Sequence, residues 1–190
     1  MPGFGWRHLG SLRGKAGNTV PEETAAAHNK YASGIYRTAY SGWPSQNTAS
    51  PTFFATGTVT GHSVVNNFDV SLTDTSPNHN IAYQWLGYIK PNYSGNWIFT
   101  GAGVDDTMTL WIGNNAITGF TTGNAVLNLS DTSSSSGNIS LTAGTYYPIR
   151  VQYANNLGSG SLSILYTNSH ATNSDTWTGL LYYNPATNGF

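Results

Sequence analysis

Two neighbouring carboxylates, Asp105 and Asp106, are the residues of this 190-residue sequence best suited to chemistry. Paired carboxylates offer oxygens for acid–base work or for a shared ion. Successive residues of a β-strand point to opposite faces, so both carboxylates can reach one ion only where the backbone leaves β geometry. A turn or capping role is the competing reading, because Gly101-Ala102-Gly103 lies immediately upstream. Catalysis finds less support. No Glu follows Glu23, and two adjacent Asp cannot flank a glycosidic bond at the separation its hydrolysis needs. Neither a Gly-x-Ser-x-Gly elbow nor a phosphate-cradling Gly loop occurs. His62, His79 and His170 lack metal-ligand spacing and read as surface or loop histidines.

The elements that must position these residues announce themselves by a period of two. Phe68, Val70 and Leu72 alternate with Asp69, Ser71 and Thr73, Met108, Leu110 and Ile112 with Thr109 and Trp111, and Tyr147, Ile149, Val151 and Tyr153 with Pro148, Arg150 and Gln152; Leu162, Ile164 and Tyr166 continue the rule. Strands are expected at about 53–59, 66–73, 81–89, 96–101, 107–112, 125–129, 138–142, 146–154 and 160–166, separated by Gly, Asn and Ser turns. No helical crossover lies between them, which excludes a parallel βαβ design and leaves an antiparallel sandwich or barrel. Trp85, Trp97 and Trp111 fall at strand positions and read as core, whereas Trp177, Tyr182 and Tyr183 would cap the sandwich or form an interaction patch.

Upstream the pattern differs. Thr19-Val20-Pro21-Glu22 is a helix start, and Gly34 a stop, giving one helix over about 20–33. Residues 1–18 read as an extended Gly-rich arm, 19–50 as a short helix and linker, and 51–190 as the β-sandwich domain. Residues 1–44 carry a formal +3 and residues 45–190 a formal −4, which suggests different partners for the two parts. The whole chain sums to −1 with only 8% charged residues, so electrostatic capture of nucleic acid is not expected. Zero Cys excludes disulfides and thiolate chemistry. No apolar run reaches membrane-span length, and the first residues lack the apolar core of a secretory signal.

A longer constellation surrounds the acidic pair. It runs from Trp85-Leu86-Gly87-Tyr88-Ile89-Lys90-Pro91 through Ser94-Gly95-Asn96-Trp97-Ile98-Phe99-Thr100, Asp105-Asp106 and Leu110-Trp111-Ile112. It closes with Leu141-Thr142-Ala143-Gly144-Thr145-Tyr146-Tyr147-Pro148-Ile149-Arg150-Val151 and Gly160-Ser161-Leu162-Ser163. Over about 53–183 this order resembles the protective-antigen/GLEYA family, which includes flocculin and adhesin lectin domains. The resemblance implies an all-β, jelly-roll-type antiparallel sandwich. It also implies a Ca2+ site in which Asp105 and Asp106, joined by a cis peptide, act with the Asn155 side chain and the carbonyls of Leu157 and Ser159. Asp105, Asp106 and Asn156 would then face the sugar. The chain departs from the flocculin pattern in having no Cys pairs and in placing Ser159 where adhesins often carry a bulky side chain.

Together these observations predict a non-enzymatic protein. Phe4, Trp6, Leu9 and Leu12 are suited to anchor in a neighbour's grooves while Arg7, Arg13 and Lys15 meet acidic surface. The leading expectation is therefore a structural component of a large assembly, a phage virion, made without a secretory signal and multimeric in that assembly. It would dock through its arm onto neighbouring structural proteins and display a Ca2+-dependent carbohydrate-binding sandwich outward, towards cell-surface glycan. The alternatives are a free-standing lectin or adhesin module and a decoration protein that binds no sugar.

Overall fold

A computed structural model of the chain describes residues 30–44, 51–72, 80–130 and 134–190. Residues 20–29 of the helix expected over about 20–33, and the arm residues Phe4, Trp6, Arg7, Leu9, Leu12, Arg13 and Lys15, lie outside the described residues. Thirteen strands form two antiparallel sheets. The larger contains β1 (Ala32–Ser33), β2 (Ile35–Ser41), β3 (Thr58–Val65), β5 (Ile81–Ile89), β7 (Thr107–Ile112), β8 (Leu127–Ser130), β10 (Tyr147–Asn155) and β13 (Leu181–Tyr183). The smaller contains β4 (Val70–Leu72), β6 (Gly95–Asp105), β9 (Ser135–Leu141), β11 (Gly160–Asn168) and β12 (Ala171–Ser174). Two short helices, α1 (Pro51–Thr56) and α2 (Asn114–Ile117), and a 3-10 turn at Thr122–Asn124 complete the described secondary structure.

The predicted alternation places the expected side chains between the sheets. Ile149, Val151 and Tyr153 of β10 face Trp97 and Phe99 of β6 and Leu162, Ile164 and Tyr166 of β11 across one apolar core. Trp177 is central to it, 5.0 Å from both Phe68 and Tyr166 by ring centroid, and its indole N–H donates to the Ile164 carbonyl at 3.1 Å. Trp177 is thus core, not a surface patch. Trp85 and Trp97 are core as expected. Trp111 is buried on the opposite face of the larger sheet, where its N–H reaches the Thr121 carbonyl at 2.7 Å.

Four expectations need correction. Residues 53–59 do not form one strand: Pro51 starts a helix, a position that suits its fixed φ and missing N–H. The sandwich begins before residue 51, because β1 and β2 lie inside the segment read as helix and linker. β2 pairs with β5 from Tyr36↔Leu86 to Ser41↔Ile81. Ala32 and Ser33, the end of the expected helix, are strand, paired with Tyr183 and Tyr182. Finally, β12 and β13 were not foreseen. They share the edges of β11 and β5 with β4 and β2, and strands of three or four residues show too little alternation to be seen in sequence.

Close backbone packing in the larger sheet gives a direct test. A Cβ on Gly87 would lie 2.3 Å from the Tyr182 carbonyl oxygen, whereas one on Gly61 would meet nothing within 4 Å. Gly87→Ala should therefore cost about 1–3 kcal/mol by pushing β13 off β5, and Gly61→Ala much less. Equal urea-unfolding midpoints for the two variants would contradict this packing.

Candidate functional site

The acidic pair stands where the chain changes sheets. Asp105 ends β6 and pairs with Ser161 in the smaller sheet, while Thr107 opens β7 and pairs with Ala154 in the larger. Another such crossing lies beside it: Asn155 ends β10, and Gly160 opens β11 after the loop Asn156–Ser159. Two sequence-distant connections therefore meet at one end of the sandwich. The Asp105–Asp106 peptide is cis, in agreement with the resemblance.

Hydrogen bonds tie the two crossings together. The Asn156 amide donates to Asp106 Oδ2 at 2.7 Å, and the Tyr153 hydroxyl donates to the Asp105 carbonyl at 2.5 Å. Asn155 Nδ2 donates to the Gly158 carbonyl at 3.3 Å, which bends the 156–159 loop back on its own strand. Asn155 is fully buried, yet its Oδ1 has no hydrogen-bond partner. A buried amide oxygen left unpaired costs about 1–3 kcal/mol, so its retention calls for a ligand or another reason. Gly160 makes room for that amide: a Cβ there would lie 2.7 Å from Asn155 Cγ and 2.5 Å from the Tyr153 hydroxyl.

The expected residues thus converge in part. Asp105, Asp106 and Asn156 are half-buried around the buried Asn155, and Leu157 and Ser159 sit exposed on the loop between the sheets. The loop carbonyl that Asn155 engages belongs to Gly158, a residue outside the expected set. Tyr153 and Gly160 were missed as site residues, although Tyr153 ends the inward-facing series of β10 and so had a signal in the alternation. Among the described residues no three His, Cys, Asp or Glu side chains cluster, so any cation here would rely on two carboxylates, an amide oxygen and carbonyls. That all-oxygen donor set and the unpaired Oδ1 fit Ca2+ better than a soft metal. His62 instead contacts Thr38 and His170 stacks on Tyr93, while His79 lies outside the described residues.

Comparison with known proteins now adds to this geometry. Residues 81–168 match the model of the GLEYA domain. That match covers 88 of the 190 residues, within an antiparallel β-sandwich. The A domain of Epithelial Adhesin 9 from Candida glabrata, solved in complex with Galb1-4GlcNAc, is similar at TM-score 0.65 and 16% identity over 82% of this chain and 91% of that one. The PA14 sugar-binding domain of an RTX adhesin is similar at TM-score 0.57 and 14% identity, over 75% of this chain and 94% of that one. An anti-sigma factor domain-containing protein from Clostridium clariflavum matches at TM-score 0.61 and 21% identity, over 80% of this chain and 47% of that one. At these identities the likeness establishes the fold. No curated protein matches the sequence.

Within this site, burial first, and then the charges of Asp105 and Asp106, push the Tyr153 phenol well above its ordinary 10.0. The unfolded phenol loses its proton near 10.0 while the folded one keeps it. Stability present below that pH is therefore lost as the pH rises further, at about 1.4 kcal/mol per pH unit for each such tyrosine. Tyr40 and Tyr88 are raised too, chiefly by burial, so the alkaline decline has several sources. Tyr153→Phe should make the decline above about pH 10 shallower by one proton's worth. Urea unfolding at a series of alkaline pH values checks it, and parallel declines in both proteins would contradict the assignment.

Proposed function

We propose that this protein is a lectin-like, non-enzymatic carbohydrate-binding module that grips glycan through Ca2+ at the double crossing. The observation that carries the reading is the buried, unpaired Asn155 Oδ1 beside Asp105 and Asp106. Asp105, Asp106, Asn155 and the carbonyls of Leu157 and Ser159 would hold the ion, and Asn156, adjacent on the same loop, would contact the sugar. Bound Ca2+ would supply a hard centre whose remaining coordination positions accept vicinal sugar hydroxyls. The chain's own part is positioning. Tyr153 fixes the Asp105 backbone from below, the Asn156 amide orients the Asp106 carboxylate, and the Asn155–Gly158 contact holds the loop against its strand.

What two similar proteins are named for supports the same class: one is an adhesin domain complexed with Galb1-4GlcNAc, the other a sugar-binding domain of an adhesin. Display on a surface facing the exterior follows from that class of protein. The virion-component reading relies on residues 1–18, which lie outside the described residues, and neither the fold nor the comparisons favour it. The lectin or adhesin alternative is accordingly the better supported one.

Calorimetric titration with Ca2+, followed by a glycan array with and without chelator, tests the reading. Ca2+ should bind and raise the thermal midpoint, and glycan binding should vanish in chelator. Asn155→Ala or Asp106→Asn should weaken Ca2+ by about 100-fold, the upper range for losing even an outer-shell partner of a metal. Calcium binding with no glycan bound would leave the decoration role in its place. No calcium binding at all would end the proposal.

A further inference from the structure

Cations are scarce here: seven Lys and Arg in the whole sequence. Four are described, and three of them have settled positions. Arg150 is buried, its Nε donating to the Ala116 carbonyl at 2.7 Å and its Nη1 to Gln84 Oε1 at 2.6 Å. Lys30 and Lys90 lie over the rings of Tyr31 and Tyr146. Arg37 differs, because it stands in a groove of about 200 Å³ lined by Arg37, Ala39, Gly61, His62, Ser63 and Tyr83.

The groove follows from strand register. Arg37 pairs with Ser63 on one side and Trp85 on the other, and Ala39 pairs with Gly61 and Tyr83, so these side chains share one face of three adjacent strands. Gly61 and Ala39 are too small to fill that face, and a Cβ at Gly61 would meet nothing within 4 Å. The guanidinium carbon sits 4.8 Å from the Tyr83 ring centroid, and Nε donates to Ser63 Oγ at 3.2 Å. The ring contact and this bond hold the guanidinium, and among the described residues neither Nη group makes a hydrogen bond. Among the described residues no carboxylate lines the groove or pairs with Arg37.

We infer that this groove takes the carboxylate or sulfate group of an acidic oligosaccharide. A planar guanidinium presents paired N–H groups that match either anion two at a time, and the Tyr83 face below preorganises it. The inference rests on the carbohydrate-binding reading and names the substrate class of that surface. The groove is connected to the double crossing on the same sheet face: the rings of Tyr83 and Tyr153 are 6.3 Å apart and nearly parallel at 14°, and Tyr153 holds Asp105. Two strand spacings and two residues separate Ala39 from Asn155, about 12 Å by ideal sheet dimensions. A single sugar ring does not cover that span, whereas an oligosaccharide carrying its acid on a second or third ring does.

The test uses the full chain with Ca2+ and pairs of glycans sharing one backbone, neutral, carboxylated or sulfated. Wild type should prefer the acidic members by about 10- to 100-fold, the range of a charge-assisted bidentate contact. Arg37→Gln should bring the ratio to about one with neutral binding unchanged, Arg37→Lys should fall between, and the carboxylated and sulfated arms identify the anion. Gly61→Val, which fills the groove from an open position, should reproduce the loss if Arg37→Gln fails to fold. Equal acidic and neutral binding in wild type, or a preference that survives both variants, overturns the inference. Should no glycan bind, titration of the Arg37 Nε resonance with sodium glucuronate and with sodium sulfate decides separately. A shift that Gly61→Val abolishes keeps the anion site while the lectin reading falls, and no shift removes both.

Discussion

The β6–β7 and β10–β11 crossings between the sheets lie side by side at one end, and the rest of the site depends on that adjacency. A strand that stayed in one sheet would send Asp105 and Asp106 to opposite faces. Here one belongs to the smaller sheet's ladder and the next leads into the larger sheet, so the pair straddles the gap between layers. The Asn155–Gly160 crossing closes the other side of that gap, and the Asn156 amide binds the Asp106 carboxylate across it. The polar groups at this end are thereby half-sheltered and mostly paired, with the Asn155 oxygen as the exception.

Shelter extends over the outer face of the larger sheet, which explains why polar side chains there are not solvent-facing. Gln84, Arg150 and Gln152 occupy the non-core positions of β5 and β10 and are nonetheless buried. Gln84 Oε1 accepts from both Arg150 Nη1 and Gln152 Nε2, and the guanidinium carbon lies 4.0 Å from the Phe120 ring centroid. Burial lowers the Arg150 guanidinium to about 10, yet it stays charged at neutral pH. A cation held by two carbonyl-type oxygens and the rings of Phe120 and Phe190, with no carboxylate partner among the described residues, fixes the α2 segment over the sheet more by geometry than by ion pairing.

The same two-sided burial sets the limit of what could be seen in the sequence. β6, β7, β10 and β11 were visible because one face is apolar and the other polar, or because both are apolar with β-branched residues. β2 was not. Tyr36, Thr38 and Tyr40 alternate with Ile35, Arg37 and Ala39, a sequence with no clean hydrophobic face, since α1 and the polar outer network cover one side and a groove opens on the other. Phe53 and Phe54 suggested a strand through their aromatic character, but they pack a helix onto Tyr40, and Pro51 at its first position was the available signal. The acidic pair was found by its resemblance to a family motif. Tyr153, Gly160 and Arg37 were not marked, because their roles come from cross-strand register, which no local pattern contains.

Register also separates the two ends of the molecule. The described chain enters at Lys30 and Tyr31, and Tyr31 packs on Tyr88 and Tyr146, near the C-terminal end of β5 and just before β10. Asp105, Asp106 and Asn155 lie at the opposite ends of those strands, beside Ile81. β10 spans nine residues, about 30 Å at the rise of an antiparallel strand, and this length stands between the entry point and the acidic pair. The described chain is thus entered at one end and carries its paired carboxylates, open loop and cationic groove towards the other.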